Sequence, residues 1–165
     1  MKTSPHVCTV HRTPLGPVLL RASSLGLSGL WFEGQRHHPD PEEVASWKSD
    51  REHPLLLATG NQLDEYFARL RQRFDLPLDL SGGTPFQRAV WQALLAIPFG
   101  RQGVYGELAR QLGRPHAVRA VGSAVGRNPV SIIVPCHRVI GANGSLTGYA
   151  GGLDRKRALL ALEGH

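Results

Sequence analysis

The pattern of apolar residues changes at Ser81, Gly82 and Gly83, and this change constrains the fold more than any other feature of the sequence. Before it, short apolar runs alternate with turn-forming residues, a pattern typical of strands. After it, apolar residues recur at helical spacing, with Pro and Gly marking the ends of the helices. We therefore predict an α/β domain over residues 1–80 and a mainly helical domain over residues 81–165.

The first domain is predicted to be a small antiparallel sheet followed by a helix. Apolar runs at residues 7–10, 18–20 and 27–32 are separated by stretches rich in Pro, Ser and Gly. A polar loop is expected over residues 33–53. The next apolar residues share one helical stripe, which indicates a helix: Leu56, Leu63, Tyr66, Phe67, Leu70 and Phe74.

The second domain is predicted to open with three helices. The first begins with a capping box between Thr84 and Gln87, with Pro85 at the first helical position. The second covers residues 105–112, and the third runs from about residue 116 to residue 126. Two short helices joined by a tight, Gly-containing turn are typical of a helix-turn-helix.

The second helix of this motif is poorly suited to reading a DNA sequence. It consists mostly of Val, Ala, Gly and Ser, and Arg119 is its only long polar side chain. Helices that read base edges in the major groove carry several such side chains. Small residues favour close approach to the minor groove, and a single Arg suits insertion into the base stack. The alternative is an Ala-rich helix that packs against another helix.

The excess positive charge lies in the second domain. Residues 81–165 carry ten basic residues against three acidic ones, whereas residues 1–80 carry nine against ten. Nine of those ten are Arg, whose planar guanidinium pairs with phosphate and stacks on bases. Charge alone does not distinguish a nucleic-acid surface from a solvated basic one.

The two cysteines, Cys8 and Cys136, lie far apart and lack CxxC partners, which indicates neither a disulfide framework nor a zinc finger. We expect no metal, although four histidines lie near Cys8: His6, His11, His37 and His38. No apolar run approaches the roughly 20 residues of a membrane span. Residues 1–5 are not followed by the apolar run of a secretory signal. We expect a cytoplasmic protein without membrane contact.

One cysteine lies beside two basic residues. Residues 132–134 are predicted to form a buried strand that leads into Pro135, Cys136, His137 and Arg138. Nearby cations and hydrogen-bond donors favour the thiolate, which is the nucleophilic form of cysteine. Adjacent strand residues point to opposite faces, so Cys136 and His137 can interact only if the backbone departs from strand geometry. The alternative is a buried structural cysteine.

The run NPVSIIVPCHRVI at residues 128–140 resembles the active-site signature of the O6-alkylguanine-DNA alkyltransferases. The resemblance continues upstream through FGRQGVYGELARQLGRPHAVRAVGSAVGRNP and downstream through GANGSLTGYAGGLDRKRALLALEG. It covers nearly all of residues 84–164, while the first 80 residues match only in general layout. It implies a ribonuclease-H-like first domain and repair of O6-alkylguanine in double-stranded DNA.

The resemblance implies that Cys136 accepts the alkyl group irreversibly and without a cofactor, so that one molecule repairs one lesion. His137 would take the thiol proton through a water, and Glu163 would orient the imidazole. Asn128 would brace the active-site turn, and Tyr105 would contact the flipped base and help protonate the leaving guanine. The base pocket would be lined by Tyr149, Ala150, Gly151, Ser131 and Val134.

The resemblance also implies a mode of DNA binding. Arg119 would fill the gap left by the nucleotide, which is flipped out through the minor groove. The surrounding contacts to DNA would come from Ala117, Ala120, Gly122, Arg114 and Tyr105. The protein would be a monomer in solution. Cooperative binding to DNA and repair of O4-alkylthymine are left open.

Two other functions are compatible with the sequence. A lesion-sensing or regulatory DNA-binding module of the same architecture would lack the acceptor cysteine, whereas Cys136 is present here. A cysteine hydrolase would need an oxyanion or substrate-binding motif, which is not apparent, and would leave the helix-turn-helix unexplained. Single residues have structural alternatives too: Tyr105 as a core residue, Arg119 as a phosphate contact and Glu163 as an exposed helix-end carboxylate.

Overall fold

The structure is a computed structural model that describes residues 6–165. The chain forms two compact units, one ending at Leu80 and the other running from Ser81 to His165. The expectation about a secretory signal concerns residues 1–5 and lies outside the described residues. Within residues 6–165, no helix is both long and apolar enough to cross a membrane.

A four-stranded sheet forms the base of the first unit. The strands β1 (Val7–Thr13), β2 (Gly16–Ala22) and β3 (Leu27–Phe32) form the predicted antiparallel meander. The first hairpin turns at Gly16, which has a φ of 112° that a side chain would disfavour. A two-residue strand, β4 (Lys48–Ser49), pairs in parallel with β1, which gives the order β3-β2-β1-β4.

The segment predicted to be a polar loop contains regular structure. Besides β4, it holds a short helix, α1 (Pro41–Ala45), with Pro at its start and two acidic residues in its first turn. Both features favour a helix N-terminus. The loop prediction was therefore wrong over these residues, because the elements are too short to show a period in the sequence.

A longer helix, α2 (Pro54–Phe67), packs against the sheet. Its buried side chains include Leu56, Leu63 and Tyr66, and burying a side chain of this size contributes about 1.5–3 kcal/mol. The predicted stripe extended through Leu70 and Phe74, and this was wrong. The helix ends at Phe67, since Arg69 adopts a φ of 62°, and Leu70 is 79% exposed.

The second unit contains four helices within the described residues: α3 (Pro85–Leu95), α4 (Tyr105–Gln111), α5 (Val118–Gly126) and α6 (Leu153–Leu162). The capping box predicted at the start of α3 is confirmed, since Thr84 and Gln87 each accept the other's backbone N–H. Helix α3 is joined to α5 by the indole N–H of Trp91, which donates to the carbonyl of Ala124 at 2.8 Å.

The predicted helix-turn-helix is formed by α4 and α5, which pack against each other. The turn between them includes Gly113 with a φ of 71°, a conformation that favours glycine. Ahead of α4, the two-residue strand β5 (Gly103–Val104) pairs in parallel with β6 (Val139–Ile140). This pairing places the start of α4 beside the segment that follows Cys136.

Candidate active site

The segment that leads to Cys136 is a series of turns, and the prediction of a strand over residues 132–134 was wrong. Ile132 has a φ of 71°, which no strand accommodates. Short backbone hydrogen bonds close the turns, from Val134 to Val130 at 2.9 Å and from Cys136 to Val134 at 2.8 Å. An apolar run of this length indicates burial, but its pattern does not distinguish a buried strand from buried turns.

Asn128 lies across these turns. Its amide Nδ2 donates to the carbonyl of Val134 at 2.7 Å, and its Oδ1 accepts the N–H of Val130 at 2.9 Å. A hydrogen bond from the same side chain also reaches Cys136. Because an amide both donates and accepts, a carboxylate or an aliphatic side chain here would leave a buried backbone group unpaired. Asn128 therefore fixes both the turn and the thiol.

Cys136 begins a 3-10 helix, Cys136–Arg138, and is 4% exposed. Burial raises the pKa of its thiol to about 11, even though Asn128, Lys156 and the N–H groups of Cys136 and His137 favour the thiolate. The expectation that the side chains of His137 and Arg138 favour the thiolate was wrong: other groups favour it, and desolvation outweighs them. The resting group is a thiol, and its reaction requires a base.

The next residue, His137, has a side chain that can accept a proton. Its Nε2 lies 2.8 Å from Oε2 of Glu163, and both side chains are fully buried. Because a carboxylate only accepts, Nε2 carries the hydrogen and Nδ1 is the basic nitrogen. Among residues 6–165, Nδ1 has no hydrogen-bond partner. Burial lowers the pKa of His137, so that the ring is neutral at pH 7 and able to accept a proton.

Arg138 also binds the carboxylate of Glu163. Its Nε lies 2.7 Å from Oε1 and its Nη2 lies 3.1 Å from Oε2, while Nη1 donates to the carbonyl of Ile97 at 2.6 Å. From the sequence, Arg138 was predicted only to be a cation near Cys136. The structure shows that it forms a bidentate ion pair, the geometry in which Arg binds carboxylates most strongly.

Lys156 was not among the predicted site residues. It lies within a run of basic residues on α6, where charged side chains are normally solvated, yet its side chain is fully buried. The spacing of residues in the sequence could have indicated this burial. The buried positions of α6 and its C-cap follow an i, i+3, i+4, i+7 stripe: Lys156, Leu159, Leu160 and Glu163. Because Lys156 and Glu163 share that stripe with two leucines, the spacing places both charged side chains on the buried face of α6.

Tyr105 lies at the start of α4 and is half-buried. Burial raises the pKa of its phenol, so the group keeps its proton at neutral pH. Its hydroxyl is hydrogen-bonded to the side chain of Thr147, and its ionisation is coupled to that of Cys136. Tyr105 is therefore a protonated phenol whose pKa is raised further when Cys136 is ionised.

The residues expected to line the base pocket lie on two segments. Tyr149, Ala150 and Gly151 form a turn ahead of α6, in which the N–H of Gly152 donates to the carbonyl of Tyr149 at 2.9 Å. Ser131 and Val134 belong to the turns before Cys136 and are both buried. The Ser131 hydroxyl has no hydrogen-bond partner within the described part of the chain.

The residues expected to bind DNA lie on the helix-turn-helix. Arg119 is exposed on α5 and forms no ion pair with any described residue. Arg114 is exposed in the preceding turn, with its guanidinium 5.5 Å above the ring of Phe86. The small residues form the partly or fully exposed surface beside Arg119: Ala117, Ala120 and Gly122. These residues are separate from the buried network of Cys136, His137, Asn128 and Glu163.

Two family models match the chain. Residues 6–80 match the 6-O-methylguanine DNA methyltransferase, ribonuclease-like domain, and residues 85–165 match the DNA binding domain of the same family. Together the two matches extend over both units. They agree with the predicted fold, a ribonuclease-H-like α/β unit followed by a mainly helical unit with a helix-turn-helix.

Individual proteins are also similar. The chain is 49% identical over 151 residues to the methylated-DNA--protein-cysteine methyltransferase of Mycobacterium bovis, covering 92% of this chain and 88% of that one. It is 47% identical over 156 residues to the protein of that name from Methanosarcina acetivorans, covering 94% and 96%. The crystal structure of Mycobacterium tuberculosis OGT in complex with DNA superimposes with a TM-score of 0.87 at 47% identity, covering 95% and 92%.

Proposed function

Because this chain belongs to the 6-O-methylguanine DNA methyltransferase family, we propose that it repairs O6-alkylguanine in DNA by transferring the alkyl group to Cys136. It would act as a methylated-DNA-[protein]-cysteine S-methyltransferase that is consumed by one reaction. The observation that carries this assignment is the buried network around the thiol. In that network, the imidazole of His137 has one nitrogen on a carboxylate and the other unpartnered among the described residues.

The first step is removal of the thiol proton. In a 3-10 helix, successive side chains diverge by about 120°, so Cys136 and His137 do not face each other directly. A single bridging water would therefore carry the proton from Sγ to Nδ1 of His137. The carboxylate of Glu163 stabilises the resulting imidazolium through its hydrogen bond to Nε2.

The second step is displacement at the alkyl carbon. The thiolate of Cys136 attacks that carbon in line, a carbon–sulfur bond forms, and the bond between the carbon and O6 breaks. The electron pair of the broken bond stays on guanine, and the phenol of Tyr105 donates a proton to the leaving base. The product on Cys136 is a thioether, which has no hydrolysable bond. The transfer is irreversible, and each molecule acts once.

The position of Cys136 requires the damaged nucleotide to leave the duplex. A thiol that is 4% exposed cannot reach an atom stacked inside a double helix. Rotating a nucleotide out of the stack costs a few kcal/mol, and less for a base that pairs poorly. Arg119 would fill the gap that the nucleotide leaves, while the small residues of α5 allow close approach to the minor groove.

The described residues also support a cellular setting. Both cysteines are free, which fits a reducing cytoplasm. We place the protein there as a monomer that binds double-stranded DNA. Its base pocket would be lined by the turn at Tyr149, Ala150 and Gly151, and by Ser131 and Val134. Titrating a long duplex with the protein and measuring the Hill coefficient tests whether copies bind DNA cooperatively.

The deciding experiment mixes the protein with an equimolar duplex that contains one O6-methylguanine, followed by intact-protein and peptide mass spectrometry. We expect one added methyl group on the peptide that bears Cys136, saturating at one per molecule, and none on the peptide that bears Cys8. An unmodified protein that still binds the lesion would indicate a sensor. Repeated turnover on an ester would indicate a hydrolase.

A further inference from the structure

A buried ammonium group lies next to the active-site turn. The Nζ of Lys156 donates to the carbonyls of Val139 at 2.6 Å, Thr147 at 2.9 Å and Gly148 at 3.3 Å. The residue has no exposed surface and forms no ion pair with any residue in the range 6–165. Three carbonyl dipoles therefore compensate the loss of water around this charge.

The choice of Lys at this position is specific. Sixteen of the nineteen basic residues in the chain are Arg, and only Lys2, Lys48 and Lys156 are Lys. A compact ammonium presents three donors to three converging acceptors, whereas the planar fork of Arg suits a carboxylate or a phosphate. Burial lowers the pKa of Lys156, and the neighbouring Cys136 raises it again when that thiol is ionised.

The three carbonyls belong to two segments that carry reacting groups. Val139 directly follows the 3-10 helix that begins at Cys136. The hydrogen bond from Lys156 to the carbonyl of Val139 therefore holds the end of that helix. Thr147 uses its side chain to hold the hydroxyl of Tyr105. Through the hydrogen bonds of its ammonium group to these carbonyls, Lys156 therefore joins the segment that carries Cys136 to the segment that holds Tyr105.

The charge of Lys156 acts on the same groups. It lowers the pKa of the Cys136 thiol and, together with Arg138, lowers the pKa of the His137 imidazole. Both effects favour the arrangement that the reaction needs, which is an ionisable thiol beside a neutral base. The carboxylate in this network, Glu163, forms ion pairs with His137 and Arg138.

We propose that Lys156 is a positioning residue for the alkyl transfer: it fixes the Cys136 segment against the Thr147 segment and supplies a positive charge beside the thiolate. This role rests on the transfer proposed for Cys136. Asn128 braces the turns before Cys136 through Val130 and Val134, whereas Lys156 hydrogen-bonds to the segment over residues 147–148.

The test compares Lys156→Met with Lys48→Met, which makes the same chemical change at an exposed position. Single-turnover methyl transfer is measured from pH 5 to pH 9, together with thermal unfolding. We expect Lys156→Met to slow transfer about tenfold or more and to move the acid limb of the rate profile up by about one pH unit. Without the ammonium, the thiol ionises less readily and His137 protonates more readily. Lys48→Met should match the wild type.

A folded Lys156→Met variant with the wild-type rate would overturn the proposal, and so would a slower variant whose pH profile is unchanged. If the variant does not fold, NMR spectroscopy of the wild type with ¹⁵N-labelled lysine ammonium groups tests the proposal instead. We expect one slowly exchanging ammonium that shifts when Cys136 is methylated, and its absence rejects the role. A wild-type protein that transfers no methyl group would reject the function proposed for Cys136, and this role with it.

Discussion

Arg138 and Glu163 form a buried bidentate ion pair, with Nε 2.7 Å from Oε1 and Nη2 3.1 Å from Oε2, and the same carboxylate also accepts from His137. One carboxylate therefore binds the proposed base, His137, and balances a buried guanidinium. Removing its charge affects stability and reactivity together, because breaking one side of a buried pair leaves an uncompensated ion.

Glu163→Gln should lower both the free energy of unfolding and the transfer rate. Arg138 loses its anionic partner, and breaking a buried ion pair in this way costs about 3–5 kcal/mol. Urea unfolding measures the first effect, and single-turnover methyl transfer measures the second. Asp154→Asn is the matched control, because Asp154 pairs with Arg157 on the surface. A Glu163→Gln variant as stable as this control would refute the account of the ion pair.

The pH dependence of transfer should reflect the lowered pKa of His137. Since burial favours the neutral ring, the base remains unprotonated below the usual histidine pKa of about 6.5. Transfer should therefore stay constant from neutral pH down through that value and fall only at lower pH. Single-turnover rates across the range establish the profile. A decline centred above the usual histidine value would contradict a base whose pKa burial has lowered.

Asn128→Ala should destabilise the second unit and slow transfer. The carbonyl of Val134 and the N–H of Val130 lose their partner while still buried, at about 1–3 kcal/mol for each unsatisfied group. Urea unfolding gives the stability. Asn143→Ala is the control, since Asn143 accepts a backbone N–H in an exposed turn. Equal losses of unfolding free energy in the two variants would show that the hydrogen bonds of Asn128 to Val130 and Val134 are unimportant for stability.

Arg119→Ala should weaken repair of duplex DNA more than the reaction with the free modified base. Only the duplex requires compensation for an extruded nucleotide, so we expect a loss of about tenfold or more on that substrate alone. Arg157→Ala removes the same charge from an exposed site on α6 and serves as the control. If both substrates react more slowly by the same factor, Arg119 does not act as a finger.

Cys136→Ala should abolish transfer but preserve DNA binding, because the groups assigned to DNA lie on the exposed helix-turn-helix. Mass spectrometry checks the first outcome, and fluorescence anisotropy with a labelled duplex checks the second. Methylation of another residue in this variant would show that the acceptor has been assigned incorrectly.

Local patterns in the sequence predicted much of this fold. The meander followed from short apolar runs between turn residues, and the start of α3 followed from the spacing of Thr84 and Gln87. Both signals arise within a few residues. The end of α2 was missed because Arg69, an ordinary residue, adopts a left-handed conformation that only tertiary structure imposes.

The site was less predictable than the fold. The resemblance supplied Cys136, His137 and Glu163, but not the bidentate pairing of Arg138 or the burial of Lys156. The position of a cation relative to buried acceptors depends on how distant segments pack, which no local pattern encodes. The turns over residues 131–134 were missed for a related reason, since their hydrogen bonds depend on the side chain of Asn128.

The raised pKa of Cys136 has a consequence for a protein that is used only once. Oxidants and small electrophiles in a cell react with thiolates, and a group with a pKa of about 11 offers almost none at neutral pH. An exposed, ionised cysteine would be spent on peroxide or a metabolite before a lesion arrived. Burial therefore protects the unreacted molecule, and in the proposed mechanism the thiol is deprotonated by His137 only when the substrate is bound.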